Sequence, residues 1–236
     1  MGEIIELTNV SKTYGKIKAI KNASLTVKKG EIFGLVGPNG AGKTTIVKML
    51  TGQTKPDKGE INVLEKNVVK NPVNAREKMG IIPEQETPPS FLNSEEYLQF
   101  CAQTRKLTGQ TDNIREWFEF LEFKNEKNKL SKDLSRGTRQ KLMISQAFFF
   151  KPKIVFIDEP LVNLDPLIQR KFKKYLREYV KKGGTVFLCT HVLSMAEEIC
   201  DTVGFINEGN VIRIENVKKL LKKYKNLESA FMRIIK

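Results

Sequence analysis

The amino-acid sequence predicts an α/β fold with a helical insertion. Short apolar runs bounded by turn residues recur along the chain, and helical patterns separate several of them, which favours α/β over an all-β fold. From about residue 85 to residue 150 the apolar residues instead recur at helical spacing. A segment with three prolines at 83–92, PEQETPPSFL, marks the boundary of this helical part.

The elements of the first third of the chain follow from its apolar runs. The first two runs flank a turn at Tyr14-Gly15, and a later short apolar run ends in a glycine. The predicted strands are 3–10, 17–27, 32–36, 60–64 and 80–82, and the predicted helices are 42–50 and 72–79.

The elements of the remainder follow the same logic. Asn93 begins a helix-start pattern, and the next two segments carry apolar residues at helical spacing. The predicted helices are 95–107, 111–122, 138–150, 166–182 and 192–199, and the predicted strands are 154–157, 185–189, 203–206 and 211–214.

Composition limits the class of protein. The chain has 236 residues, of which 40% are hydrophobic, enough for a core and too many for a disordered protein. Mean hydropathy is −0.35, and the longest apolar runs fall far short of the roughly 18 to 20 residues that span a bilayer. The amino terminus lacks a secretory pattern, and the three cysteines show no CxxC pairing. We therefore expect a cytoplasmic protein without a disulfide framework or structural zinc.

The charge favours anionic partners. The formal net charge is +14, which suits nucleotide phosphates, nucleic acid or the acidic inner face of a membrane. Residues 213–236 contain eight basic residues and two acidic ones. This segment is alternatively explained as a solvated helix face in a lysine-rich chain.

A phosphate-binding motif provides the strongest chemical signal. Residues 37–45 read GPNGAGKTT, which matches GxxxxGK[ST] between a predicted strand and a predicted helix. Glycines let successive backbone N–H groups surround a phosphate chain at a helix N-terminus. Lys43 is expected to reach the β- and γ-phosphates, and the Thr44 hydroxyl is expected to bind magnesium. The predicted ATP-binding residues of this loop are Gly37, Pro38, Asn39, Gly40, Ala41, Gly42, Lys43, Thr44 and Thr45.

A second signal is the strand IVFIDE at 154–159. Its first carboxylate, Asp158, is placed to hold magnesium directly or through water, and Glu159 to orient or deprotonate an attacking water. An ordinary buried strand with a polar end would look the same. The phosphate loop elsewhere in the chain favours the catalytic interpretation.

The third signal is LSRGTRQ at 134–140, with which the chain resembles the nucleotide-binding subunit of an ATP-binding cassette (ABC) transporter. The phosphate loop, the LSxG signature, the Asp-Glu pair, LDP at 164–166 and the lone histidine, His191, occur in the family's order. The resemblance covers essentially the whole chain. It implies a P-loop NTPase fold of the ABC ATPase type, with an antiparallel β subdomain and a helical subdomain insertion. The implied division is an α/β core at 1–84 and 151–214, a helical signature subdomain at 85–150, and a basic helical tail at 215–236.

The resemblance also implies residue roles. In the family, two cassettes pack head to tail and each ATP lies between the phosphate loop of one and the signature of the other. Ser135 and Gly137 would then contact the γ-phosphate held by the other copy, and His191 would contact the phosphate in its own subunit and join Glu159 and Lys43 in catalysis. Asp165 would cross the dimer interface. Tyr14 would stack on adenine, the alternative being a turn tyrosine packed on the core.

Three departures from the family pattern bear on the site. Arg136 stands where glycine is usual in the signature, and residues 161–163 read LVN where a small or hydroxyl residue is common before LD. Glu84 aligns with the family's loop glutamine, a further magnesium-site residue, and Gln85 follows it. We favour Glu84 as the equivalent residue, with Gln85 as the alternative.

The resulting functional hypothesis is an ATPase subunit that powers a transporter, with an exporter favoured over an importer. Separate transmembrane subunits would hold the chain at the inner face of the membrane and contact the helical insertion. Phe91, Leu92, Tyr97 and Trp117 would then form a docking groove or, alternatively, ordinary core, whereas residues 148–150 are expected in the core. The alternative functions are a soluble ABC ATPase acting on nucleic acid or ribosomes, and a nucleotide sensor without turnover.

Overall fold

The computed structural model describes residues 2–84, 88–159, 161 and 163–235. The strands are β1 (Glu3–Tyr14), β2 (Ile17–Lys28), β3 (Ile32–Val36), β4 (Lys58–Val63), β5 (Lys66–Asn67), β6 (Met79–Ile82), β7 (Ile154–Asp158), β8 (Thr185–Thr190), β9 (Thr202–Asn207) and β10 (Asn210–Asn216). The helices are α1 (Lys43–Leu50), α2 (Pro72–Arg76), α3 (Ser94–Thr104), α4 (Thr111–Phe120), α5 (Arg136–Phe148), α6 (Pro166–Lys181), α7 (Leu193–Ile199), α8 (Val217–Leu221) and α9 (Leu227–Ile235). These elements confirm the predicted α/β fold class.

The described strands form one mixed sheet in the order β5-β4-β1-β2-β10-β9-β3-β8-β7-β6. The half from β6 to β9 is parallel, with β3 between β8 and β9. The half formed by β1, β2, β4 and β5 is antiparallel. The carboxyl ends of β3, β7 and β8 therefore meet at one edge, where ligands bind in open α/β sheets.

The parallel strands are buried on both faces, which explains their unbroken apolar runs. Alternate residues enter different cores because side chains along a strand point to opposite faces. In β7, Val155 and Ile157 join the core beneath α3–α7, while Ile154 and Phe156 join the core that includes α1 and β1. The phosphate loop and the helical segment thus pack against opposite faces of the same strands.

The helical segment packs against α6 through an aromatic cluster. Phe148, 1% exposed, contacts the rings of Trp117, Phe172, Tyr175 and Tyr179 at centroid distances of 5.3–5.7 Å. This confirms the core prediction for Phe148, and Phe149 is fully buried while Phe150 packs against the same core. Among the proposed docking residues, Trp117 is buried, Tyr97 and Leu92 are half-buried, and Phe91 is 76% exposed.

Several predicted element ends were wrong by a few residues. Helix α5 begins at Arg136 and not at 138, because the Ser135 hydroxyl caps it by accepting a hydrogen bond from the Thr138 N–H at 3.1 Å. Strand β4 ends at Val63 because Leu64 and Glu65 have left-handed backbone conformations in a turn. The sequence patterns did not predict β5 or the two short 3-10 helices, Lys124–Glu126 and Ser131–Asp133.

The carboxyl-terminal residues pack on the protein through apolar side chains. Leu227 and Ala230 are fully buried, and the ring of Phe231 lies 6.0 Å from that of Phe205. The lysines of this segment that lie on the solvent side are Lys218, Lys219, Lys222, Lys223 and Lys225. Lys218 and Lys219 lie on α8, and the other three lie in the connection between α8 and α9, so this positive charge is exposed to solvent on both. Within the described residues, no helix is both long enough and apolar enough to cross a bilayer.

Candidate nucleotide site

An open cavity of about 530 Å³ lies where β3, β7 and β8 end. The loop after β3 runs into α1, while Asp158 is the last residue of β7. The cavity is lined by Ile17, Lys18, Ala19, Lys21, Asn39, Gly40, Gly42, Lys43, Thr44, Thr45, Glu84, Asp158, Glu159, Glu208 and Gly209. The structure therefore brings together most of the predicted loop residues and both strand-end carboxylates.

Close backbone packing shapes the loop. Gly40 and Gly42 have φ values of +79° and +108°, in the left-handed region that favours glycine. Gly37 lies so close to β9 that a Cβ there would be 2.2 Å from the Ile206 carbonyl oxygen. The buried Lys43 ammonium donates to the carbonyl oxygens of Gly37 at 2.8 Å and Pro38 at 3.1 Å. The lysine thus lies within the loop, beside the start of α1.

Thr44 and Asp158 connect the loop to the sheet. The Thr44 hydroxyl donates to Asp158 Oδ2 at 2.8 Å. Burial raises the pKa of the Asp158 carboxyl, which is 2% exposed, and the negative charges of Glu84 and Glu159 act in the same direction, against the Thr44 hydrogen bond and the Lys43 charge. Three carboxylates therefore share one side of the cavity.

Glu159 is held by the last residue of β8, Thr190, and by the residue that follows it, His191. Its Oε1 accepts from the His191 backbone N–H at 2.8 Å and lies 2.7 Å from His191 Nδ1. Its Oε2 accepts from the Thr190 hydroxyl at 3.0 Å. Glu159 also has a left-handed backbone, with φ +52°, an arrangement that is strained in a non-glycine residue. The predicted base and the predicted histidine are thus in direct contact.

The sequence predicted a magnesium site formed by the side-chain oxygens of Thr44, Asp158 and Glu84. Within the described part of the chain there is no group of three or more His, Cys, Asp or Glu residues that could hold a metal ion. The Thr44 hydroxyl and the Asp158 carboxylate instead offer the few oxygen ligands with which proteins hold Mg²⁺, the remainder coming from substrate phosphates and water. The donor set therefore fits magnesium bound together with a nucleotide.

The remaining predicted site residues lie outside the described cavity lining. Tyr14 is 44% exposed and therefore does not pack in the core, and its cross-strand partner Ile17 lines the cavity. Ser135 is exposed at the start of α5, with Gly137 close to the Asn163 carbonyl oxygen. Asp165 caps α6 by accepting from the Ile168 N–H at 3.0 Å. Pro38 and Ala41 complete the loop backbone, and Gln85 lies outside the described residues.

Sequence reasoning missed part of the cavity wall. Residues of β2 and of the turn after β9 reach the loop across the sheet, where the Gly209 N–H donates to the Ala41 carbonyl oxygen at 3.0 Å. The wall also carries a Lys21–Glu208 ion pair at 3.5 Å. The only sequence signal was a glycine after Glu208, which indicates a turn without indicating its neighbours.

The sequence of the chain is similar to those of transporter ATP-binding proteins. Residues 20–162 match the family described as ABC transporter. The bacitracin transport ATP-binding protein BcrA of Bacillus licheniformis is 33% identical over 230 residues, covering 95% of this chain and 74% of that protein. The Nod factor export ATP-binding protein I of Rhizobium meliloti (strain 1021) is 35% identical over 210 residues, or 88% of this chain and 63% of that protein.

Solved structures are similar over nearly the whole chain. An ATP-binding subunit of an ABC transporter superposes with a TM-score of 0.92 at 26% identity, covering 99% of this chain and 100% of that one. A dimeric post-hydrolysis state of the ATP-binding cassette MJ0796 bound to ADP and Pi has a TM-score of 0.83 at 26% identity, covering 90% and 98%.

Proposed function

The chain belongs to the ATP-binding cassette (ABC) transporter family, and on that premise we propose that it powers an exporter by binding and hydrolysing magnesium-ATP in the cavity at the carboxyl ends of β3, β7 and β8. ATP binding and hydrolysis coupled to transport are the activity of this family, of which one related cassette is seen with ADP and Pi. The assignment of particular residues to that activity is the substance of the proposal.

The phosphates would bind to the loop and to the start of α1. The left-handed glycines allow backbone N–H groups of the loop to turn toward an anion, and the helix N-terminus adds partial positive charge. Lys43 would exchange its two carbonyl partners for the β- and γ-phosphate oxygens. That exchange replaces neutral acceptors with charged ones, which form the stronger hydrogen bonds.

Magnesium would be held by Thr44 and Asp158, with Glu84 nearby. A bound dication neutralises charge on the β- and γ-phosphates. The pKa of Asp158 supports this assignment, because burial and then the negative charges of Glu84 and Glu159 raise it, and a bound cation would offset that charge. Glu84 contributes to this field as an exposed member of the cavity lining, and Gln85 stays the alternative.

Hydrolysis would use Glu159 as the general base that takes a proton from the attacking water. The carboxylate is 10% exposed and lines the same cavity as Lys43 and Thr44. His191 would hold Glu159 through its backbone N–H and through Nδ1–H, since an ionised carboxylate can only accept. A γ-phosphate oxygen is also an acceptor, so a contact with the other ring nitrogen would require that Nε2 carries a proton as well. The alternative function, a nucleotide sensor without turnover, would not need this contact between Glu159 and His191.

A second cassette would complete the site. The α5 N-terminus is exposed on the described chain, and it combines the Ser135 hydroxyl, the Gly137 backbone and the helix dipole, all of which suit a phosphate. Asp165 would reach the interface from the start of α6, and Tyr14 would stack on adenine from the β1–β2 turn. The dimeric form of the related cassette supports such pairing.

The transmembrane partners would be separate subunits that hold this chain at the inner face of the membrane. The proposed division has an α/β core at 1–84 and 151–214, a helical segment at 85–150 that contacts the membrane subunits, and the tail at 215–236. Relatives named for bacitracin transport, Nod factor export and linearmycin resistance support an exporter. A soluble ATPase acting on nucleic acid or ribosomes is not favoured by these relatives.

The observation that carries the proposal is the convergence of Lys43, Thr44, Asp158 and Glu159 on one cavity. Replacement of Glu159 by Gln is expected to lower ATP turnover by about 10²- to 10⁴-fold while ATP still binds and brings two copies together, as measured by phosphate release, nucleotide titration and light scattering. Lys43→Ala is expected to lose both binding and turnover. Glu116→Gln is the matched control, because Glu116 is an exposed glutamate of α4 outside the cavity lining, and it should change neither.

Unchanged turnover in Glu159→Gln would refute the assignment of the base. The transporter role is tested separately by isolating the chain from detergent-solubilised membranes and identifying the membrane polypeptide that accompanies it. Salt-sensitive retention on RNA, without any membrane polypeptide, would instead support the nucleic-acid alternative.

A further inference from the structure

Thr190 makes a contact with Glu159 that no sequence motif suggested. It is the last residue of β8, and its side chain is fully buried. The hydroxyl donates to Glu159 Oε2 at 3.0 Å and accepts from the Val192 N–H at 3.0 Å. The hydroxyl thus donates one hydrogen bond and accepts another, and together they define the orientation of this buried side chain.

The direction of the Thr190 hydrogen bond follows from counting protons. A threonine hydroxyl carries one proton and two acceptor lone pairs. The Val192 N–H occupies a lone pair, in the turn that threonine commonly makes with the residue two positions ahead. The single proton is therefore directed at Glu159, whose ionised carboxylate can only accept.

Counting the hydrogen bonds that Glu159 accepts shows that Oε2 can accept one more. Oε1 accepts from the His191 backbone N–H and lies 2.7 Å from His191 Nδ1, which must donate because an ionised carboxylate can only accept, and these two contacts use its two lone pairs. Oε2 receives the Thr190 hydroxyl alone in the described structure. Because a carboxylate offers about four lone-pair sites in total, one site remains on Oε2 for the proton of a water molecule.

The backbone further restricts Glu159. Its N–H donates to the Cys189 carbonyl oxygen at 3.0 Å, so main chain and side chain are both tied to residues 189–191. With φ at +52°, the residue lies in a region that side-chain-bearing residues adopt only when their surroundings impose it. The Thr190 hydroxyl is the side-chain contact on Oε2, while His191 Nδ1 contacts Oε1 of the same carboxylate.

We propose that Thr190 is a positioning residue that fixes the rotation of the Glu159 carboxylate and so presents Oε2 to the attacking water. The inference rests on the proposed role of Glu159 as the base. Thr190 would not touch the nucleotide, and its effect on hydrolysis would act through Glu159.

Three variants isolate the hydroxyl. Thr190→Val keeps the branched shape and removes the hydrogen bonds, and it is expected to lower kcat by about tenfold to a hundredfold with an unchanged Kd for ATP. Thr190→Ser keeps the hydroxyl and should retain most of the activity. Thr185→Val is the matched control, because Thr185 is a fully buried threonine of the same strand whose hydroxyl accepts from the Gly30 N–H at 3.0 Å, at the opposite end. It should lower stability and leave kcat unchanged.

A double-mutant cycle with Glu159→Gln tests the pathway of the effect. In the Glu159→Gln background, Thr190→Val should cause no further loss of turnover, since residues that act as a unit have non-additive effects. If Thr190→Val does not fold, Thr190→Ala and Thr190→Ser are compared in its place, because these two variants differ only in the hydroxyl.

The outcomes separate this inference from the proposed function. A Thr190→Val enzyme with wild-type kcat, or equal losses in the wild-type and Glu159→Gln backgrounds, overturns the positioning role while Glu159 remains the base. Wild-type turnover in Glu159→Gln overturns the proposed base, and the role of Thr190 with it.

Discussion

Two glycines of the phosphate loop are expected to differ sharply in their tolerance of a methyl group. An alanine Cβ at Gly37 would lie 2.2 Å from the Ile206 carbonyl oxygen and 2.9 Å from Ile206 Cγ2, inside the 3.0 Å that such contacts hardly ever reach. Ile206 is fully buried in β9, so the neighbouring backbone has little room to move. At Gly40 the same Cβ would have no atom within 4 Å, although φ is +79°.

The two costs can be estimated separately. Gly40→Ala carries only the left-handed backbone strain, about 1 to 2 kcal/mol. Gly37→Ala forces strand and loop apart, which at the upper end of overpacking costs about 3 kcal/mol. The two costs differ by about 1 to 2 kcal/mol, and about 1 kcal/mol lowers the melting temperature by roughly 2–4 °C in a chain of this size, so Gly37→Ala should melt roughly 2–8 °C below Gly40→Ala.

Thermal unfolding and ATP titration of the two variants provide the assay. We expect Gly37→Ala to be the less stable and to lose ATP affinity, because the loop backbone that would surround the phosphates is displaced. Gly40→Ala should keep measurable ATP binding. Equal melting temperatures for the two variants would refute the argument that packing against β9 shapes the loop.

Three further changes have outcomes that follow from described contacts. Burial and neighbouring carboxylates raise the pKa of Asp158 above its ordinary 3.8, so the nucleotide-free fold loses stability as pH rises through the interval between 3.8 and the raised value. Asp158→Asn should remove this pH dependence, add about 1 kcal/mol to the free energy of unfolding at neutral pH, and abolish magnesium-dependent turnover. A variant that is less stable than wild type in denaturant titrations would contradict this. Phe148→Ala should lower the free energy of unfolding by about 3–5 kcal/mol, because it leaves a cavity in the aromatic cluster. Phe91 is exposed, so Phe91→Ala should unfold within about 0.5 kcal/mol of wild type in the same denaturant titrations. The Arg105 guanidinium donates at 3.2 Å to the carbonyl oxygens of Arg76, Glu77 and Met79, and it stacks on the ring of Phe150. A lysine ammonium cannot reproduce these hydrogen bonds, so Arg105→Lys should lower stability by about 1–2 kcal/mol in thermal unfolding. An unchanged melting temperature would show that these hydrogen bonds are dispensable.

The residues that were predicted from the sequence belong to short patterns of neighbouring residues. A phosphate loop needs glycines, a lysine and a hydroxyl residue at fixed spacing between a strand and a helix, so residues 37–45 were recognisable within nine positions. Asp158 and Glu159 were recognisable because they end a continuous apolar run. Both patterns concern neighbours along the chain, and the parallel strand arrangement brings such strand ends to one edge.

Contacts between distant segments were not predictable in this way. Thr190 and Glu159 are 31 positions apart, and a threonine beside a histidine carries no sign that its hydroxyl will meet a carboxylate. Glu208 and Gly209 reach the loop only because β9 pairs with β3 in the sheet. The start of α5 was misplaced by two residues because Ser135, identified as a signature residue, also caps the helix.

The amino-acid sequence by itself determined the α/β class and the family resemblance, and it indicated the residues of the phosphate loop and of β7 proposed for the nucleotide site, because each depends on residue types at short, fixed spacing. The tertiary structure alone decided which carboxylates share the cavity, that Tyr14 stays half-exposed, and which hydroxyl holds Glu159. The physical reason is that hydrogen bonds and burial depend on the position of each side chain in space, which only the packing of strands remote in sequence establishes.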